Sequence, residues 1–172
     1  SGERVDDQII EEMIESARWA PTHKLTQPWR FTVFCDEGLE NLAAFQSEMY
    51  KEVNGSGYSE STFEKLRTKP LKCSHIIAIG MRRDPDERVP EVEEICATAC
   101  AVQNMLLIAA ANNIGAYWST GGITYYDGTD ELFDVEGDVR LMGFIYIGSV
   151  REGFWPEGRR EQMDDKVSWV TS

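Results

Sequence analysis

Histidine is scarce in this sequence, with two in 172 residues. The four cysteines, Cys35, Cys73, Cys96 and Cys100, include no Cys-x-x-Cys pair. A structural zinc site draws on about four such ligands, so no metal site is expected. The cysteines read instead as buried thiols of a reducing cytoplasm, with Cys96 and Cys100 one helical turn apart. Positive charge is also short: 17 Lys and Arg against 30 Asp and Glu leave a net charge of −13. That balance repels nucleic acid and anionic membranes and excludes both as main partners. No apolar run of about 18 residues is expected to span a membrane. No secretory leader is read at the start, and the opening Ser1-Gly2 in place of Met suggests a trimmed chain. Cytoplasmic localisation is the resulting expectation.

Familiar catalytic signatures are missing too. There is no Gly-x-Gly-x-x-Gly after a strand, no P-loop, no His-Glu-x-x-His and no Gly-x-Ser-x-Gly. His75 opens an apolar run and reads as a satisfied structural histidine. No nucleophile or strong acid–base pair emerges, so the residues predict no catalytic side chain. An enzyme so equipped leaves the chemistry to a cofactor.

What is present is an ordinary globular composition, 42% hydrophobic and 27% charged, enough for a core in one domain over 1–172. Apolar residues at three- and four-residue steps predict helices over Asp6–Trp19, Glu37–Val53, Thr62–Thr68 and Pro90–Asn113. The second half of the last helix, Met105 to Ala111, is apolar all round, which predicts burial on every side. One small domain would struggle to cover it, so a homodimer packed along this helix is expected. Gln103 and Asn104 then fall inside the core. Gly115 is the expected helix stop. Strands are expected at Trp29–Cys35, Cys73–Met81, Ala116 onward and Val139–Ile147. Arg82–Pro90 reads as a charged surface loop that moves. The tail, Arg151–Ser172, has few core-like features and is a candidate to wrap a partner subunit.

Three stretches have the makings of a ligand site. The first joins a helix to a strand between two prolines, Pro21 and Pro28, and carries Thr22, His23, Lys24, Leu25 and Gln27. Each proline biases the residue before it away from helical angles, giving a stiff polar loop at the end of a buried strand. Its unpaired N–H groups need acceptors. It reads equally as the grip for a planar polar ligand and as a plain connection. The second is Trp118-Ser119-Thr120-Gly121-Gly122, where small residues let backbone N–H groups approach a ligand, or simply make a turn. The third is Arg159-Arg160, either a phosphate clamp or a solvated pair. Lys69, before Pro70, is able to face an oxygen acceptor.

Ala17 to Phe31, Ala-Arg-Trp-Ala-Pro-Thr-His-Lys-Leu-Thr-Gln-Pro-Trp-Arg-Phe, resembles the signature of the FMN-dependent nitroreductase family in its short bacterial branch. Ala97–Leu107 resembles that family's central helix, 115–121 its flavin-edge turn, and 142–148 its final core strand; a basic pair follows. The segments stand in family order over nearly the whole chain. The resemblance implies an α+β homodimer whose mixed, mainly antiparallel sheet is wrapped by helices, with a long central helix and two FMN sites at the interface. It implies that Pro21, Thr22, His23 and Leu25, with Gln27 in the same loop, meet the flavin from one subunit. Lys69 would face the pyrimidine end, Trp118, Ser119, Thr120 and Gly121 the N5 edge, and Arg159 or Arg160 the phosphate. Leu25 stands where many relatives have Asn and offers only apolar contact. An Arg-Arg-Ser type segment that opens relatives is absent before Ser1-Gly2-Glu3-Arg4-Val5, which implies trimming or the loss of part of the flavin site. The implied activity is hydride transfer from NADH or NADPH through flavin N5 to a small-molecule acceptor, a nitroaromatic or quinone. The alternative is a non-catalytic homodimer of the same fold that binds a flavin or other small ligand. A reductive dehalogenase is a third reading.

Overall fold

Asp6 shows how local chemistry starts the chain's first element. Its backbone is extended, and its carboxylate accepts a hydrogen bond from the Gln8 N–H at 3.0 Å. That satisfies one of the donors a helix start leaves open. The computed structural model describes residues 3–155 and 157–171. Ser1, Gly2, Pro156 and Ser172 lie outside the described residues.

Helix α1 spans Asp7–Ala17 and buries Ile10, Met13 and Ala17, one per turn. Strand β1 (Trp29–Cys35) follows, then α2 (Glu37–Asn54) and α3 (Glu60–Thr68). Strand β2 (His75–Arg82), helix α4 (Glu91–Ala111), and strands β3 (Ile114–Ser119) and β4 (Val139–Ser149) complete the regular elements. Observed bounds differ from the expected ones by a few residues, as helix ends fray. One larger difference is at the end of α4. Asn113, with φ 57°, supplies the left-handed stop, and Gly115 is already inside β3. Asn tolerates that conformation, so no glycine is needed there.

Among the described residues one four-stranded sheet forms, ordered β1-β2-β4-β3, every pairing antiparallel. α1 and α4 cover one face around Ile77, Ile79, Ile145 and Ile147. Leu39 and Leu42 of α2, with Ile123, Leu132 and Phe133, cover the other around Ile76, Ala78 and Phe144. Each such fully buried side chain is worth about 1.5–3 kcal/mol. Because both faces are covered, Phe31 and Phe34 of β1 pack on opposite sides of the sheet. β1 is also a sheet edge and only half-buried, where a buried strand was expected.

A bulge sits where Gly80 and Ile79 pair with Leu141 and Gly143. Gly143 has φ 115°, and a Cβ there would lie 2.4 Å from the Ser119 carbonyl oxygen. Only glycine lets the end of β3 close onto β4 at this point.

α4 differs from expectation along its length. Leu107 is 57% exposed and Gln103 is exposed, so in the single chain this helix is not buried all round. Asn104 is half-buried and donates to the Ser16 carbonyl at 3.0 Å. Among the described residues α4 is the one helix that is long and apolar enough to cross a membrane by length and composition, a test that the core helix of a globular domain also passes. Here it lies against α1 and the sheet. The cysteines are not all buried: Cys96 is exposed and the other three are intermediate, all free. His75 is buried as expected, between the Ser74 hydroxyl and the Asp7 carboxylate, each at 2.9 Å.

Candidate functional site

The loop after α1 is built from strained backbone held by side chains. Lys24, Leu25 and Gln27 have φ of 50°, 54° and 44°, values that non-glycine residues rarely adopt. Such conformations persist only when the surroundings impose them. Here the Thr22 hydroxyl accepts from the Gln27 N–H at 3.1 Å and lies 3.2 Å from the Thr26 hydroxyl. Arg30 donates to the Gln27 carbonyl at 3.0 Å. Lys24 donates to the Arg88 carbonyl at 2.9 Å, and His23 Nδ1 lies 2.5 Å from Glu93 of α4. Leu25 is left 75% exposed.

What the loop is fastened to is itself fixed. Asp84 is buried and takes the Arg88 guanidinium on both carboxylate oxygens at 2.9 Å and the Arg88 N–H at 3.0 Å. Those bonds hold its carboxyl down to about 2. Buried Glu94 pairs with Arg83 and accepts the Asp84 N–H. The segment 82–90, expected to move, is therefore pinned through its charges. Between the loop and α4 lies an open, mostly apolar hollow of about 450 Å³. Pro21, Thr22 and His23 form one wall; Val92, Glu93, Cys96, Ala97 and Cys100 form the other.

A second group of predicted residues gathers at the opposite sheet edge. Gly122, φ 71°, brings the turn after β3 against α3, and a Cβ there would lie 3.1 Å from Leu66 Cδ2. Lys69 follows one turn later, at the end of α3. Its ammonium lies 4.0 Å from the Tyr146 ring centroid and 5.3 Å from that of Tyr117. Burial pushes Lys69 down, but the Tyr117 phenol, with Tyr146 and Cys73, outweighs it and holds it above its ordinary value. Burial in turn pushes the Tyr146 phenol up, against the pull of Lys69. The N–H groups of Thr120, Gly121 and Gly122 have no partner among the described residues. Trp118 turns to the other face of the sheet, where its indole donates to the Met142 carbonyl at 3.0 Å.

The structure thus brings Lys69 toward the turn after β3 but leaves Trp118 on the other sheet face, and it sets Pro21, Thr22 and His23 against the start of α4, with Leu25 and Gln27 in the same loop. It does not bring the two groups together within one chain. The loop precedes Trp29 at the start of β1, whereas Tyr117 and Tyr146 under Lys69 are in register with Ile76 and Phe34, near its end. The two groups also flank opposite edges, three strand spacings or roughly 14 Å apart. Arg159 and Arg160 stand exposed on the tail, where the Arg160 guanidinium turns back onto the Arg159 carbonyl at 2.8 Å. No hydrogen bond or ion pair among the described residues ties them to either group. Sequence reasoning missed Glu93, Tyr117 and Tyr146. A carboxylate in the first turn of a helix and two tyrosines in strands give no local signal of a site.

A larger hollow of about 680 Å³ lies between the start of α4 and residues 124–130. Its arginines are already committed, Arg140 to Glu91 at 3.0 Å and Arg83 to Glu94. Size alone does not make it the site.

Residues 1–149 match the model of the Nitroreductase family. A protein of Escherichia coli (strain K12) carrying the name NAD(P)H nitroreductase YdjA is 27% identical over 140 residues, covering 81% of this chain and 75% of that protein. The structure of a nitroreductase-like family protein from Bacillus cereus superposes with a TM-score of 0.81 at 24% identity, over 100% of this chain and 89% of that one. A Desulfovibrio desulfuricans structure described as a nitroreductase in complex with FMN gives 0.67 at 23% identity, over 100% and 89% of the two chains.

Proposed function

Because the chain belongs to the nitroreductase family, a family of oxidoreductases, we propose that it is an FMN-dependent NAD(P)H oxidoreductase acting on nitroaromatics, quinones or similar small acceptors. The observation that carries this reading is the division of the site into two unlike halves on opposite sheet edges. One half offers a cation and free N–H donors; the other offers an apolar wall. A two-fold homodimer joined along the exposed side of α4 would set the loop of one copy beside the Lys69 half of the other. The slot so formed suits a ring that is flat, apolar at one end and rich in carbonyls at the other. The names of the relatives support the cofactors: NAD(P)H for the Escherichia coli protein, FMN for the Desulfovibrio one.

When bound, FMN supplies the redox chemistry, taking a hydride from NADH or NADPH and releasing electrons to the acceptor. This chain's residues do the holding. Lys69 places positive charge at the pyrimidine end, where negative charge grows on reduction. The N–H groups of Thr120, Gly121 and Gly122 face the N5 edge. Pro21, Thr22, His23 and Leu25 pack one ring face and limit water, with Gln27 closing the loop. Arg159 or Arg160, carried on the tail, holds the phosphate as an arginine fork does.

The test is spectroscopic. Purified chain mixed with FMN is expected to retain the flavin absorbance through gel filtration and to oxidise NADH or NADPH when a nitroaromatic is added. Retention without oxidation would leave the non-catalytic reading; colourless fractions would end the flavin reading altogether.

A further inference from the structure

The charge on Lys69 is useful only if its flexible stem is held. A lysine side chain has four rotatable bonds and much rotamer entropy, so an unsupported ammonium at a sheet edge samples many positions. Here it does not stand alone. Tyr117 of β3 and Tyr146 of β4 are cross-strand partners whose rings stack at 5.2 Å, 12° from parallel. Tyr146 is 6% exposed, so the lower ring is held by burial. Tyr117 lies on top, half exposed. The Lys69 ammonium rests over both rings, 4.0 Å from the Tyr146 centroid and 5.3 Å from that of Tyr117. The titratable groups facing it are the two tyrosines and the half-buried Cys73 thiol, with no carboxylate among them. It therefore lacks an anion to neutralise it and keeps a full charge for a ligand.

We propose that Tyr117 is a positioning residue, which acts through Lys69 to fix the cation beside the 119–122 turn. The inference deepens the flavin reading and rests on it only for the identity of the ligand. The seat itself is a property of this chain. Tyr117 supports the Lys69 charge by its ring face and by its phenol, which helps hold the ammonium above its ordinary value. The negative face of a tyrosine ring attracts an ammonium, more strongly when the pair is desolvated.

The experiment uses the full chain with Tyr117→Phe, Tyr117→Leu, Lys69→Met and the double variant Tyr117→Phe/Lys69→Met. Tyr117 lies at a sheet edge, and circular dichroism checks that each variant is folded. The first readout needs no flavin: the Lys69 titration, followed by NMR at its Cε carbon. Lys69 is expected to titrate at higher pH in the native chain than in Tyr117→Phe. Unchanged midpoints overturn the proposal, whatever the flavin does. The second readout is FMN affinity and the FMN midpoint potential. Tyr117→Phe is expected to weaken FMN about threefold to tenfold, Tyr117→Leu more, and Lys69→Met by about tenfold to a hundredfold. In the Lys69→Met background, Tyr117→Phe is expected to change neither quantity further. Additive losses would mean that Tyr117 acts on the ligand directly, and would overturn the positioning role. A shifted Lys69 titration in a chain that takes up no FMN would support the seat while removing the flavin reading.

Discussion

Two residues test the account most directly. Gly143 combines a left-handed φ with a 2.4 Å approach to the Ser119 carbonyl. Gly143→Ala is expected to cost about 2–5 kcal/mol, from backbone strain and overpacking together. Chemical denaturation measures it, and a loss under about 1 kcal/mol would mean that the bulge relaxes freely. Asp84 gives a pH signature. Its carboxyl is held at about 2, below the ordinary 3.8, by Arg88. The folded state therefore releases this proton more readily than the unfolded chain. The stabilisation is complete above the unfolded value and is lost as pH falls from about 4 through about 2. Asp84→Asn is expected to lower Tm by about 2–4 °C at neutral pH, with the gap to the native chain closing as pH approaches 2. A gap that stays constant over that range would show that the Asp84 charge is not what pins segment 82–90.

At the scale of elements, α4 decides most. Its buried side, with Ala97, Ala101, Met105 and Ala109, lies on the sheet and α1. Its other side shows Val92, Cys96, Gln103 and Leu107 to the outside, apolar but for one amide. That is the face proposed for the second copy. Leu107→Glu is expected to leave the circular dichroism spectrum of the chain intact and to weaken the dimer at least about tenfold, as read by light scattering across a dilution series. A dimer of unchanged affinity would place the interface elsewhere. The loop after α1 is an element of the same kind. Its three left-handed residues are stable because Thr22, Glu93 and the Arg88 carbonyl hold them, not because their own propensities favour it.

At the scale of the whole molecule, the two halves of the site face different directions in one chain. The described residues of the tail, 151–155 and 157–171, are exposed, with Phe154, Trp155, Trp169 and Val170 among them. These features are consistent with a slot completed by two chains, the tail of one lying over the other and bringing an arginine to the phosphate. Arg159→Gln and Arg160→Gln, made separately, test that. One of the two is expected to weaken FMN about tenfold while leaving riboflavin, which lacks the phosphate, unchanged. Equal losses for both ligands would show that the arginine acts on folding or assembly instead.

The helices and strands were legible in the sequence because their signals are local: a cap at Asp6, apolar spacing in α1 and α4, an apolar run in β2. So was the family, through a resemblance carried by contiguous residues. The sequence alone settled that the chain carries an α+β nitroreductase-like pattern with a strong negative charge. Tertiary structure decided what depends on distant residues meeting. It set the strand order, which parts the loop and the turn to opposite edges, and the Asp84, Glu93 and Arg88 contacts that fix 82–90 and the loop. It also set the stack of Tyr117 on Tyr146 that seats Lys69. The physical reason is that periodicity and capping act within a few residues, whereas register and ion pairing act across a sheet whose strands are far apart in the chain.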